Sequence, residues 1–244
     1  HELKTPLANI RAHLSALQAS DYQWSASEQQ DFIETADEQV ERLVKMINQF
    51  LDASRVEAGA LRIEIEPILL SELLEDLQER LEALISSSKR TLKLITSPLL
   101  PTVLADYELL ISVLTNLLSN AFRYAPEGDV VLLEVKTVYT IHAKTIGVEF
   151  RVTDRGPGLT EEQQTELFTR FSTFAATRRP DADRPGQPDS TQQQKNVRWS
   201  AKSGLGLYIS RGIIEAHGSQ LTVKSNAGEG ATFGFVLNVA SSSE

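Results

Sequence analysis

Hydrophobic residues follow two different rhythms along this chain, and the rhythm changes near residue 60. Leu3, Leu7, Ile10, Leu14 and Leu17 recur at alternating spacings of four and three, the seam of a helix that packs against other helices. This predicts a first helix ending near Ser20. A polar stretch, Ser20-Asp21-Tyr22-Gln23-Trp24-Ser25, follows, and Ser27 with Gln30 three residues on predicts a capping box for a second helix. That helix carries Ile33, Ala36, Val40, Leu43, Ile47 and Phe50 at the same alternation, with Val44 and Leu51 as a second apolar row. Two such helices joined by a short loop make an antiparallel hairpin. One hairpin cannot bury both faces, so pairing with a second copy into a four-helix bundle is expected, which makes a homodimer.

Ala58-Gly59-Ala60 breaks the second helix, and beyond it Leu61, Ile63 and Ile65 alternate with Arg62, Glu64 and Glu66, the period of a strand. The pattern then predicts a helix over 71–87, a strand over 92–95 and a helix over 106–122. Strands follow at 130–138 and 146–152, a helix begins near Glu161, another spans 206–217, and strands at 220–225 and 231–238 close the chain. Strands and helices interleave without a regular βαβ repeat, so the expected architecture is α+β, a mixed sheet covered by helices on one face in an α/β sandwich. Residues 172–203 interrupt this with a long polar run, Asp181-Ala182-Asp183-Arg184-Pro185-Gly186-Gln187-Pro188-Asp189-Ser190 and Gln192-Gln193-Gln194, the texture of a functional lid or a disordered insertion. The expected division is a helical unit at 1–57 and a second unit at 64–240, with Gly59 in the 57–63 junction as a hinge.

Composition narrows the functional classes. A chain of 244 residues with 41% hydrophobic residues builds real cores. A net charge of −9, with basic residues that gather into no stripe, argues against nucleic acid as the main partner. With no cysteine there is no disulfide framework, thiolate metal site or thiol nucleophile, which is compatible with a cytoplasmic setting. No apolar run approaches the roughly 20 residues of a membrane span, so no membrane contact is expected of this segment. The chain opens inside a helical pattern without an initiator Met, and reads as a fragment whose upstream part is missing.

Chemistry concentrates in a few places. His1 and Thr5 stand one helical turn apart with Glu2 beside the histidine. An imidazole oriented by a carboxylate keeps one nitrogen free to attack an electrophile, and the carboxylate can take the proton. Pro6 has no N–H for the carbonyl of Glu2 and should kink a helix there; the same residues also read as an exposed histidine with Pro6 marking a helix start. His13, His142 and His217 read as surface or structural, and no pair has metal-ligand spacing.

Asn116 and Asn120 project from one side of the 106–122 helix, offering neutral carbonyl oxygens that suit Mg²⁺ where a triphosphate already supplies charge. Arg123 and Tyr124 add a guanidinium for phosphate and a ring for a base. Asp154 ends a strand-like run and precedes Arg155-Gly156-Pro157-Gly158, a turn that lets backbone approach a ligand while a carboxylate accepts from an adenine amino group. Ser203-Gly204-Leu205-Gly206-Leu207 opens the 206–217 helix with small residues and free amides, where phosphate binds readily, and Lys202 adds a cation. Phe168 and Phe171 flank the polar run as hydrophobic anchors. Each motif alone also reads as an ordinary turn, cap or packed ring.

In this order and spacing, the five elements resemble the catalytic portion of two-component sensor histidine kinases. His1-Glu2-Leu3-Lys4-Thr5-Pro6 resembles the phosphoacceptor box and Asn116 to Tyr124 the asparagine box. Asp154 to Gly158, Phe168 to Phe171 and Gly204 to Leu207 resemble two glycine boxes with a phenylalanine box between them. The resemblance implies a dimerisation and phosphotransfer hairpin followed by an ATP-binding domain of the Bergerat type shared with DNA gyrase. It implies that His1 accepts the γ-phosphoryl group, Glu2 is its base, and Thr5 positions water for phosphatase activity. Asn120, supported by Asn116, would hold Mg²⁺, and Asp154 would read adenine. Gly156, Gly158, Gly204 and Gly206, with Leu205 and Leu207, would shape pocket and lid; Arg123 and Lys202 would touch phosphate and Tyr124 the base. The implied partner is the receiver domain of a response regulator. One alternative is a catalytically inactive nucleotide-binding scaffold. The 171–204 connection is longer and more polar than many lids of the family.

Overall fold

The computed structural model describes residues 3–18, 22, 24–140, 145–170, 172 and 204–240. Two helices come first, α1 (Lys4–Gln18) and α2 (Ala26–Glu57), packed side by side as the hairpin expected from the sequence. Pro6 lies in the first turn of α1 and is buried there. First-turn N–H groups have no intrahelical acceptor, so proline costs little at that point. The kink expected beside His1 and Glu2 concerns residues outside those described.

The cap of α2 differs from the expectation of Ser27 with Gln30. Ser25 is the N-cap: its hydroxyl accepts from Glu28 N at 3.3 Å, and Glu28 Oε2 accepts from Ser25 N at 2.8 Å. An ionised carboxylate serves this position better than an amide because it also faces the positive end of the helix dipole. Trp24 closes the turn behind it, donating its indole N–H to Ala16 O at 2.8 Å and packing edge-on against Phe32.

After α2 come β1 (Glu66–Ile68), α3 (Leu70–Ser88), β2 (Thr91–Thr96), β3 (Val103–Ala105), α4 (Tyr107–Tyr124), β4 (Val130–Thr140), β5 (Thr145–Asp154), α5 (Glu161–Glu166), α6 (Gly206–Ala216), β6 (Thr222–Ser225) and β7 (Ala231–Asn238). The strand expected over 61–66 is displaced, and β3 was not anticipated. Only Glu66–Ile68 pairs, antiparallel with β3, because no neighbouring strand reaches residues 61–65. There the backbone N–H of Glu64 donates instead to Asp106 Oδ2 at 2.9 Å.

The main sheet runs β2-β4-β5-β7-β6, with β2 and β4 parallel and the other pairs antiparallel. It is therefore mixed. Period-two alternation sends Val131, Leu133 and Val135 of β4, Val148, Phe150 and Val152 of β5, and Phe233, Phe235 and Leu237 of β7 to one face. There they meet the apolar faces of α3, α4 and α6 in one continuous core. Phe150 stacks on Phe235 across the β5–β7 pair at 4.9 Å between ring centroids. The opposite face carries polar pairs such as Arg151 with Glu149, 2.8 Å apart. This is the α/β sandwich with helices on one face. Ala53, near the end of α2, is wholly buried within the same core, and Glu57 pairs with Arg170.

Candidate active site

Helix α4 organises the site. Its N-cap is Asp106, whose Oδ1 accepts from Leu109 N at 3.1 Å, and its inner face is anchored by Leu110, Leu114, Leu117, Leu118 and Phe122, all buried. The other side of the helix carries Asn116, Asn120, Arg123 and Tyr124, each half-buried. The i, i+4 spacing read from the sequence thus places both amides along one flank of a rigid helix.

At the C-terminal end of α4 lies the turn that follows β5. Asp154 is the last residue of β5 and only 6% exposed. Its Oδ1 accepts from Gly156 N at 2.7 Å. Burial pushes its carboxyl above the ordinary carboxylate range, the backbone N–H groups of Gly156 and Ala231 oppose that shift, and the charge of Asp129 adds to it. A Cβ on Gly156 would come within 2.9 Å of Tyr124 O, so the turn seats directly against the end of α4 only because that residue is glycine. Gly158 has φ +66, and a Cβ there would lie 1.9 Å from Asn226 O.

Against the middle of α4 lies the start of α6. Gly204 has φ +59, Leu205 is buried and Leu207 packs on the core. A Cβ on Gly206 would lie 2.4 Å from Asn116 Oδ1, while Asn116 Nδ2 donates to Ser210 Oγ one turn further along α6 at 2.9 Å. Phe168 packs on the core, with the Arg211 guanidinium over its ring at 5.6 Å. The site therefore has a buried carboxylate and glycine turn at one end of α4, two amides along its flank, and a glycine helix start closing the other side. That combination offers an acceptor for a base amino group, neutral oxygens for a hard cation and a helix N-terminus for phosphate.

Residues 105–241 match the family model described as histidine kinase-, DNA gyrase B- and HSP90-like ATPase, and residues 1–59 match the His Kinase A phospho-acceptor domain. The chain belongs to the two-component sensor histidine kinases. Drug sensory protein A of a Synechocystis species is 29% identical over 246 residues, covering 98% of this chain and 34% of that protein. Among solved structures, the Acinetobacter baumannii histidine kinase AdeS aligns with a TM-score of 0.67 at 20% identity, covering 98% of both chains. Full-length ShkA in complex with AMPPNP aligns with a TM-score of 0.67 at 24% identity, covering 99% of this chain and 45% of that one. The chain spans about a quarter to a third of the length of the curated relatives it matches.

In this histidine kinase chain, the fold gathers Asn116, Asn120, Arg123, Tyr124, Asp154, Gly156 and Gly158 around α4, with Gly204 to Leu207 at the start of α6. Thr5 is exposed in the first turn of α1, at the start of the helical hairpin. His1, Glu2, Phe171, Lys202, and residues 173–203 where the lid was expected, lie outside the described residues. Among the described residues, no group of three His, Asp or Glu side chains is arranged to hold a metal, and no helix is long and apolar enough to cross a membrane. Sequence reading missed Ser210 and Gly230, whose Cβ would lie 2.0 Å from Asp154 O. Neither has a local signal, because each matters through a residue distant in the chain.

His217, expected to be structural, accepts from Asp106 N through Nε2 at 2.9 Å, while its Nδ1 pairs with Ile213 O at 2.7 Å. That fixes the tautomer and ties the end of α6 to the start of α4.

Proposed function

We propose that this chain is an ATP-dependent autokinase that phosphorylates His1 and passes the group to an aspartate on the receiver domain of a response regulator. An imidazole nitrogen of His1 attacks the γ-phosphorus of ATP. The bond to the bridging oxygen breaks, ADP leaves, and Glu2 accepts the imidazole proton. Asp154 accepts from the adenine amino group through the carboxylate oxygen that Gly156 does not engage. Tyr124 lines the base, and Arg123 and Lys202 meet phosphate. The backbone of Gly204 and Gly206 offers amides at the N-terminus of α6, with Leu205 and Leu207 holding that turn to the core and Phe168 and Phe171 anchoring the lid.

The neutral Asn116 and Asn120 oxygens fit a Mg²⁺ ion that takes its remaining ligands from phosphates and water, and no acidic cluster among the described residues competes for it. Bound there, the ion would neutralise charge developing on the transferred phosphoryl group. Because Thr5 and the nucleotide site lie on different units, the transfer requires the ATPase unit to move over the hairpin. Gly59, in a left-handed conformation just beyond α2, is the proposed hinge between units at 1–57 and 64–240. Thr5 is proposed to position water for dephosphorylating the partner. The hairpin is proposed to dimerise through its exposed apolar face, and the reaction is placed in the cytoplasm, where ATP is supplied.

The observation that carries this reading is the convergence on α4 of the Asp154 turn and the glycine start of α6. Incubation with γ-labelled ATP should give an acid-labile label on the wild type and none on His1→Ala. Label that persists on His1→Ala refutes the acceptor assignment, and absence of label from every variant refutes the kinase.

A further inference from the structure

Ser210 sits where the pattern of α6 calls for an aliphatic side chain. Its neighbours Ile209, Ile213 and Ile214 are all buried, and Ser210 itself is only 2% exposed. Serine is no better than neutral inside a helix, and a buried hydroxyl is costly unless it is paired. Its partner is Asn116 on α4, 94 residues away in sequence, whose Nδ2 donates to Ser210 Oγ at 2.9 Å.

An asparagine amide has a donor end and an acceptor end, and only the oxygen can ligate a hard cation. With the nitrogen committed to Ser210, the oxygen turns toward the backbone at Gly206. An added Cβ would lie 2.4 Å from that oxygen and 3.1 Å from the nitrogen. The bare glycine backbone leaves room for this amide orientation, and in it Ser210 Oγ accepts from the amide nitrogen.

We infer that Ser210 is a positioning residue for magnesium-bound nucleotide, acting through Asn116 by holding its amide with the oxygen toward the site. The inference rests on the nucleotide reading proposed above. Alanine at position 210 would keep the helix, since alanine is the best helix former, but would let the Asn116 amide rotate and present its nitrogen. Losing an orienting partner one step removed from a metal commonly costs at least about tenfold in metal-dependent affinity.

Calorimetric titration of the whole chain with ATP, once with Mg²⁺ and once with EDTA, tests this. Wild type should bind more tightly with Mg²⁺, and Ser210→Ala should lose about tenfold of that gain while its affinity in EDTA stays at the wild-type level. In an Asn116→Ala background, Ser210→Ala should have no further effect on the magnesium-dependent gain. A full gain retained in Ser210→Ala overturns the inference and leaves the kinase reading standing. Equal losses in both titrations overturn it too, because they mark Ser210 as packing alone. A wild type that binds ATP without any magnesium-dependent gain removes the proposed Mg²⁺ role of Asn116 and Asn120, and the inference with it.

Discussion

The hairpin and the sheet unit use the same residue types and treat them in opposite ways. In the sheet unit, Leu114 is fully buried and Phe150 is 1% exposed, each covered by elements of the same chain. In the hairpin, Leu7 is 59% exposed, Ile33 52% and Val44 53%, and most of the heptad seam lies open. The buried row of α2 runs through Gln39, Met46 and Ala53, a narrow inner stripe beside the exposed one. A sheet with helices on one face can close its own core. A two-helix hairpin cannot, and its remaining apolar surface is where the proposed dimer would form.

Mutations that act differently in the two regions can break this contrast, and the largest effect belongs to the sheet. Phe150→Ala removes a buried ring stacked on Phe235. It should lower the unfolding free energy of this unit by about 3–5 kcal/mol in urea denaturation; a loss near 1 kcal/mol would mean the core is looser than its burial implies.

An intermediate effect is expected at Asp154, where function and stability pull apart. Asp154→Asn keeps an oxygen for Gly156 N but turns an amide N–H₂ toward the adenine amino group, so ATP affinity should fall by about tenfold or more in calorimetry. The buried carboxyl titrates above its unfolded value, so the folded state binds that proton more tightly. The stability this confers is present at low pH and is lost as pH rises through the folded-state titration. Raising pH from about 4 to 7 should therefore destabilise the wild type relative to Asp154→Asn, and parallel pH curves would show that the site carries no such cost.

The smallest effect on unfolding should come from the hairpin face. Ile33→Ser with Val44→Ser alters exposed positions, so unfolding of the sheet unit should change by no more than about 0.5 kcal/mol. Sedimentation should nevertheless show the proposed wild-type dimer converted to monomer. Sheet unfolding that shifted with the hairpin would show that the two regions are not separable.

Most of the architecture was legible because its elements announce themselves locally. The strand over 231–238 and the helices over 71–87 and 106–122 carry strong periodicity and good formers, and they appear within a residue or two of their expected bounds. The misplacements have separate causes. Leu61, Ile63 and Ile65 alternate like a strand, yet a strand exists only where another pairs with it, and β3 supplies a partner only to Glu66–Ile68. Val103–Ala105 is too short for a period to show, and the choice of Ser25 over Ser27 as cap turned on which serine the backbone left in an extended conformation.

Taken alone, the sequence determined the helix periods, the glycine turns, the two spaced asparagines and the order of motifs that marks the family. These are properties of neighbours within a few residues, where spacing translates directly into a shared face or a tight turn. Only the tertiary structure decided that Asp106 would hold Glu64 and meet His217, that Gly206 and Ser210 would clasp Asn116, and that burial would raise the Asp154 carboxyl. Each of these joins residues far apart in the chain or depends on how much water packing has removed, and neither quantity is written in local spacing.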